Sequence, residues 1–93
     1  MPEWTIEISS AAPAEDVEEA VERVAVSLEA SAALGPSISG NLVDGTVSAT
    51  YQVEADDRAA ALHAGGELFL EALLLAGIDP SIGTCEVRPA GVA

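Results

Sequence analysis

The chain has 93 residues, with 16 Asp and Glu against three arginines (Arg23, Arg58, Arg88) and no lysine, for a formal net charge of −13. A phosphate backbone is bound by cations that displace its counterions, so this composition excludes nucleic acid as a partner; an anionic membrane surface is excluded for the same reason. The length suits one domain with a single modest core, and the recurring Val, Ile and Leu argue for a folded chain despite the charge.

The order of elements can be read from hydrophobic period. Residues 3–9 alternate, with Trp4, Ile6 and Ile8 on one face and Glu3, Thr5, Glu7 and Ser9 on the other, which predicts a half-buried strand. Pro13, Glu15 and Asp16 suit a helix N-terminus. Val17, Val21, Val24 and Leu28 then mark one helical face, and Gly35-Pro36 is expected to stop that helix. Asp44-Gly45 signals a hairpin between a strand at residues 37–42 and one at residues 46–54. In the second of these, Val47, Ala49, Tyr51 and Val53 share the inward face. Asp56 and Asp57 cap a second helix that runs to about Ala76, where Gly77 and Pro80 end it. A last strand over residues 83–88 closes the domain, with a frayed tail at residues 89–93.

Strand, helix, strand, strand, helix, strand is the order of the ferredoxin-like split unit: an α+β fold with a four-stranded antiparallel sheet and both helices on one face. A short internal echo, Gly35-Pro36-Ser37-Ile38 against Asp79-Pro80-Ser81-Ile82, is consistent with two similar halves.

Functions hosted by this architecture can be tested residue by residue. An RNA-binding sheet stacks bases on aromatics of its two central strands; the outward positions here are Thr5, Glu7, Ser48, Thr50 and Gln52. A metallochaperone needs a Cys-x-x-Cys after the first strand, but that loop reads Ser9-Ser10-Ala11-Ala12-Pro13. Cys85 and His63 alone do not make a zinc ligand set, so no metal or other cofactor is expected. The same loop lacks the arginine or glycine of an anion cradle, and a glycine-dependent amino-acid site is disfavoured there. For a cofactor-independent monooxygenase the candidates would be Trp4, Asn41, Tyr51 and His63. Trp4 and Tyr51 have core parity, Asn41 suits a turn, and His63 lies one helical turn from Glu67 as a solvated pair. A small-molecule ligand is left open, and the expectation is a non-enzymatic module.

Three surfaces are candidates for a partner. The first is an acidic helix face carrying Glu15, Glu18, Glu22 and Glu29, with Glu19 offset by Arg23. The second is the open sheet face: Thr5, Glu7, Ser39, Asn41, Ser48, Thr50 and Gln52, with Thr84, Glu86 and Arg88 if the last strand keeps that phase. The third is the second helix, whose core stripe is Leu62, Gly65, Phe69, Ala72, Leu73 and Ala76. Leu70 and Leu74 fall on one flank of that stripe and Leu68 and Leu75 on the other, and Leu70 and Leu74 are expected to cover a homodimer or partner surface. Close approach of the first helix is the expected reason for Gly65-Gly66.

Trp4-Thr5-Ile6-Glu7-Ile8 and Ala55-Asp56-Asp57-Arg58-Ala59, with the Ala-rich helix that follows, resemble small actinobacterial proteins of ferredoxin-like topology. The resemblance implies the fold and brings no activity with it. The Ala, Gly and Arg bias also points to a GC-rich bacterial source. One cysteine permits no internal disulfide, and the first residues lack the features of a signal peptide, so a cytoplasmic location is expected. The leading functional expectation is a protein-interaction or regulatory module that self-associates as a homodimer. The alternative is an acidic inhibitor or immunity-type protein, or a nucleic-acid mimic, that covers a basic partner surface.

Overall fold

The computed structural model describes residues 2–90. The elements are β1 (Glu3–Ser9), α1 (Val17–Glu29), β2 (Leu34–Gly40), β3 (Val47–Glu54), α2 (Arg58–Leu75) and β4 (Thr84–Pro89). All strand pairings are antiparallel, in the order β2-β3-β1-β4. This is the ferredoxin-like α+β fold, with β1 and β3 at the centre of the sheet.

The period-two alternation places the core. Ile6, Ile8, Val47, Ala49, Tyr51, Val53 and Val87 are buried on the sheet face covered by the helices. From the helices, Ala20, Val24 and Leu28 of α1 meet Ala61, Phe69, Ala72 and Leu73 of α2 above that layer. Val87 is buried while Thr84, Glu86 and Arg88 are exposed, so β4 has the expected phase, and Ile82 lies before the strand begins.

Local chemistry sets the helix ends. Asp16 caps α1 by accepting from the Glu19 N–H at 3.2 Å, and Asp57 caps α2 by accepting from the Ala60 N–H at 2.8 Å. Glu15 therefore lies before α1 and not on it, which corrects the expected acidic helix face. Gly35-Pro36 does not stop α1 either, since that helix ends at Glu29 with Ala30 as its cap. The pair sits inside edge strand β2, where the register shifts between Leu34 and Ser37. Gly35 adopts φ +57° there, a left-handed conformation that suits glycine in a bulge, and Pro36 is tolerated because an edge strand has N–H groups that need no ladder partner. The echo with residues 79–82 is thus one of sequence: residues 35–38 lie in a strand and residues 79–82 in the connection before β4.

Three further expectations change. Leu62 is 47% exposed, because it lies in the first turns of α2, and Ala61 takes the core position. Neither glycine of α2 answers to α1: a Cβ on Gly65 would stand 2.8 Å from Cγ1 of Ile6 in β1, and one on Gly66 would meet Ile82 in the connection before β4. At the C-terminal end Pro89 still pairs with Trp4, and the Ala90 N–H donates to the Glu3 carbonyl at 3.0 Å. The expected tail at residues 89–93 therefore does not begin at Pro89, and residues 91–93 lie outside the described residues.

Candidate functional site

The loop after β1, tested above for a metal or anion site, is closed by its own chain. The Ser10 side chain is buried; its hydroxyl accepts from the Val47 N–H at 2.9 Å and donates to the Ala12 carbonyl at 3.3 Å. The next two amides, Ala11 and Ala12, donate to the Ser81 hydroxyl at 3.3 and 3.0 Å. The backbone N–H groups an anion would need are therefore already occupied.

The candidate enzyme residues do not converge. Trp4 Nε1 donates to the Ala55 carbonyl at 3.1 Å, and the buried Tyr51 hydroxyl donates to the Gly65 carbonyl at 2.5 Å. Burial, with a smaller contribution from Cys85, pushes the Tyr51 phenol well above its ordinary range, which keeps it a donor. Asn41 leaves the sheet for the β2–β3 loop, where its side chain accepts from the Val43 N–H at 2.9 Å and donates to Asp44 at 3.3 Å. His63 stands on exposed α2 surface 3.4 Å from Glu67. Burial pushes the half-buried Cys85 thiol up. Among the described residues no three His, Cys, Asp or Glu side chains group as a metal site, and no helix is long and apolar enough to cross a membrane.

The open sheet face is ordered in cross-strand rows. Ser39, Ser48, Ser9 and Thr84 form a hydroxyl row across all four strands, with Ser9 and Thr84 oxygens 2.6 Å apart. The next row holds Ser37, Thr50, Glu7 and Glu86. Arg88 donates to both oxygens of Glu7 at 2.9 and 3.0 Å and lies 3.5 Å from Glu86. That contact holds the Glu7 carboxyl below its ordinary range, first through the hydrogen bonds and then through charge. The charged groups of this row are thus turned toward one another.

The five residues singled out for partner binding fall into separate places. Glu15 and Glu18 line a shallow depression beside the β2–β3 loop, whose tip exposes Leu42 and Val43. Leu70 is half-buried, and Leu74 is 63% exposed. At 3.6 residues per turn both lie on the flank of α2 that follows Gly66, whose nearest neighbour is Ile82. Glu22, one helical turn on from Glu18, lines a groove between α1 and α2.

That groove has a volume of about 890 Å³. Val26, Ala30, Leu68 and Leu75 give it an apolar lining, and Val26 and Leu75 are each 67% exposed. Glu22 and Glu71 stand at its edge, and Arg23, also on the rim, is paired with Glu19. Leu68 and Leu75 show in the sequence as the second flank of α2. Val26 is the residue that period-based reading misses: it lies 200° around the helix from Val24, where a solvated helix face calls for a polar side chain. An apolar residue at that angle is the signal that would have found it.

No family model matches the chain, and neither a curated protein nor a solved structure matches it.

Proposed function

We propose that the chain is a small acidic protein-interaction module, without a catalytic role, that engages a basic partner surface. One observation carries the reading. Val26 and Leu75, which line one groove between α1 and α2, each leave most of their surface in water on a chain with a net charge of −13. Large apolar side chains exposed together mark a surface that another molecule covers, and the surrounding charge selects the sign of that molecule. The inward-turned charges of the open sheet favour the helix layer over the sheet for this role. An inhibitor, immunity-type or nucleic-acid-mimicking protein is the form the reading takes, in the reducing cytoplasm that a single thiol suits.

The test is affinity capture on the immobilised chain from its native host, at low and at moderate salt. Basic proteins retained at low salt and released at moderate salt support the reading; retention of nothing, or retention that ignores salt, refutes it.

A second reading, a homodimer, is favoured by the other flank of α2, which carries exposed Leu74 and half-buried Leu70. Sedimentation decides it. A concentration-dependent dimer dissolved by Leu74→Glu supports it, and a strict monomer at high concentration removes it.

A further inference from the structure

We infer that the groove between α1 and α2 is the docking site, and that its occupant is an amphipathic basic helix of a partner protein. The inference rests on the interaction reading above and names the partner's chemistry. Val26, Leu68 and Leu75 offer an open apolar trough, and the carboxylates of Glu22 and Glu71 stand beside it. Two parallel or antiparallel helices on a sheet leave a furrow into which a third helix packs its own side-chain ridge. An occupant with apolar residues at i, i+3, i+4 and i+7 fills such a trough, and Lys or Arg flanking that stripe meets the carboxylate rim.

Charge selects this occupant over a second copy of the chain. The only cation on the rim, Arg23, is paired with Glu19, so a copy docked here brings carboxylates against carboxylates with a net charge of −13 on each side. A small-molecule site is disfavoured because such sites aim a few polar groups inward. The Ser31 hydroxyl at the groove's end is already spent, donating to the Leu28 carbonyl at 2.6 Å and accepting from the Ala33 N–H at 3.1 Å.

The test uses the full chain and a fluorescein-labelled synthetic peptide of about four helical turns with a leucine stripe flanked by lysines, read by anisotropy. Glu71→Gln and Glu15→Gln each remove one charge, so a merely long-range attraction treats them alike. The inference expects Glu71→Gln to weaken binding by at least about fivefold, Leu75→Ser by at least about tenfold, and Glu15→Gln by less than about twofold. The same peptide with glutamate for lysine is expected not to bind. All three positions are exposed, and an unchanged thermal melt for each variant keeps loss of fold out of the comparison. Equal effects of Glu71→Gln and Glu15→Gln, indifference to Leu75→Ser, or binding of the glutamate peptide overturns it. So does a dimer dissolved by Leu75→Ser, which would make a second copy the occupant. If the peptide fails while capture from the host remains salt-dependent, the interaction reading stands and the groove assignment falls.

Discussion

Glu7 and Glu86 stand directly opposite each other on β1 and β4, and a single cation, Arg88, is in reach of both. Like charges facing across an antiparallel pair are unfavourable, and Arg88 sits at the diagonal position that relieves them. It is also the cation of the open face, where every other outward side chain of the central strands is neutral or acidic.

Arg88→Gln is therefore expected to lower the urea midpoint at neutral pH more than Arg58→Gln does, although both remove one positive charge. The pH dependence has a definite sign. Folding favours ionised Glu7, so its contribution is complete above the ordinary glutamate value of 4.5 and is lost as pH falls through the lowered one. The gap between wild type and Arg88→Gln narrows below that value. A gap that stays constant to acid pH would contradict the pairing.

The two glycines of α2 separate by their surroundings. A Cβ on Gly65 stands 2.8 and 2.9 Å from Cγ1 and Cδ1 of Ile6, which is fully buried. A Cβ on Gly66 meets only Cδ1 of Ile82, at 3.6 Å. Alanine gains about 1 kcal/mol of helix propensity at either site, and overpacking costs about 1–3 kcal/mol at the first alone. Gly66→Ala is expected to stabilise by about 0.5–1 kcal/mol and Gly65→Ala to destabilise, both read from urea unfolding.

Tyr51 ties β3 to the middle of α2 through the Gly65 carbonyl. Tyr51→Phe keeps the ring and removes the donor, with an expected loss of about 1–1.5 kcal/mol in urea unfolding. A neutral effect would show that the hydroxyl contributes only its volume.

Ser81 closes the loop after β1 by accepting from Ala11 and Ala12. Ser81→Ala is expected to cost about 1 kcal/mol and to speed hydrogen exchange at those two amides, because nothing else takes their protons. Exchange at both amides that matches wild type would remove Ser81 from this role.

The phases of β1 and β3 were legible in the sequence because one buried face forces a period of two, so Ile6 and Tyr51 could point only one way. That of β4 was open, because Ile82 and Val87 have opposite parity and only the structure puts Ile82 before the strand. The cap Asp57 was legible because few side chains satisfy an orphan helix N–H, whereas Asp16 read only as one of the acids near the start of α1. What escaped was set by tertiary contact. Gly35-Pro36 reads as a helix stop in isolation, and only its neighbour β3 makes it a bulge. Gly65 reads as a contact with α1 until the helix is laid on Ile6. The groove between the helices escaped for a different reason: Glu22 reads as one acidic stripe with Glu18, one helical turn away, and only the placement of α2 beside α1 puts it in a concavity with Val26 and Leu75. Leu70 and Leu74 attract the eye in a leucine run, but which flank of α2 faces α1 depends on a packing that the run does not encode.

The central claim is that the helix layer, and not the sheet, receives a basic partner. It is tested most directly by a methyl and amide NMR titration of the full chain with the lysine–leucine peptide at low salt. The largest shifts are expected at Val26, Leu68 and Leu75, fading as salt is raised. Shifts concentrated at Ser48 and Thr50 on the open sheet, or at Leu42 and Val43 in the β2–β3 loop, would contradict it.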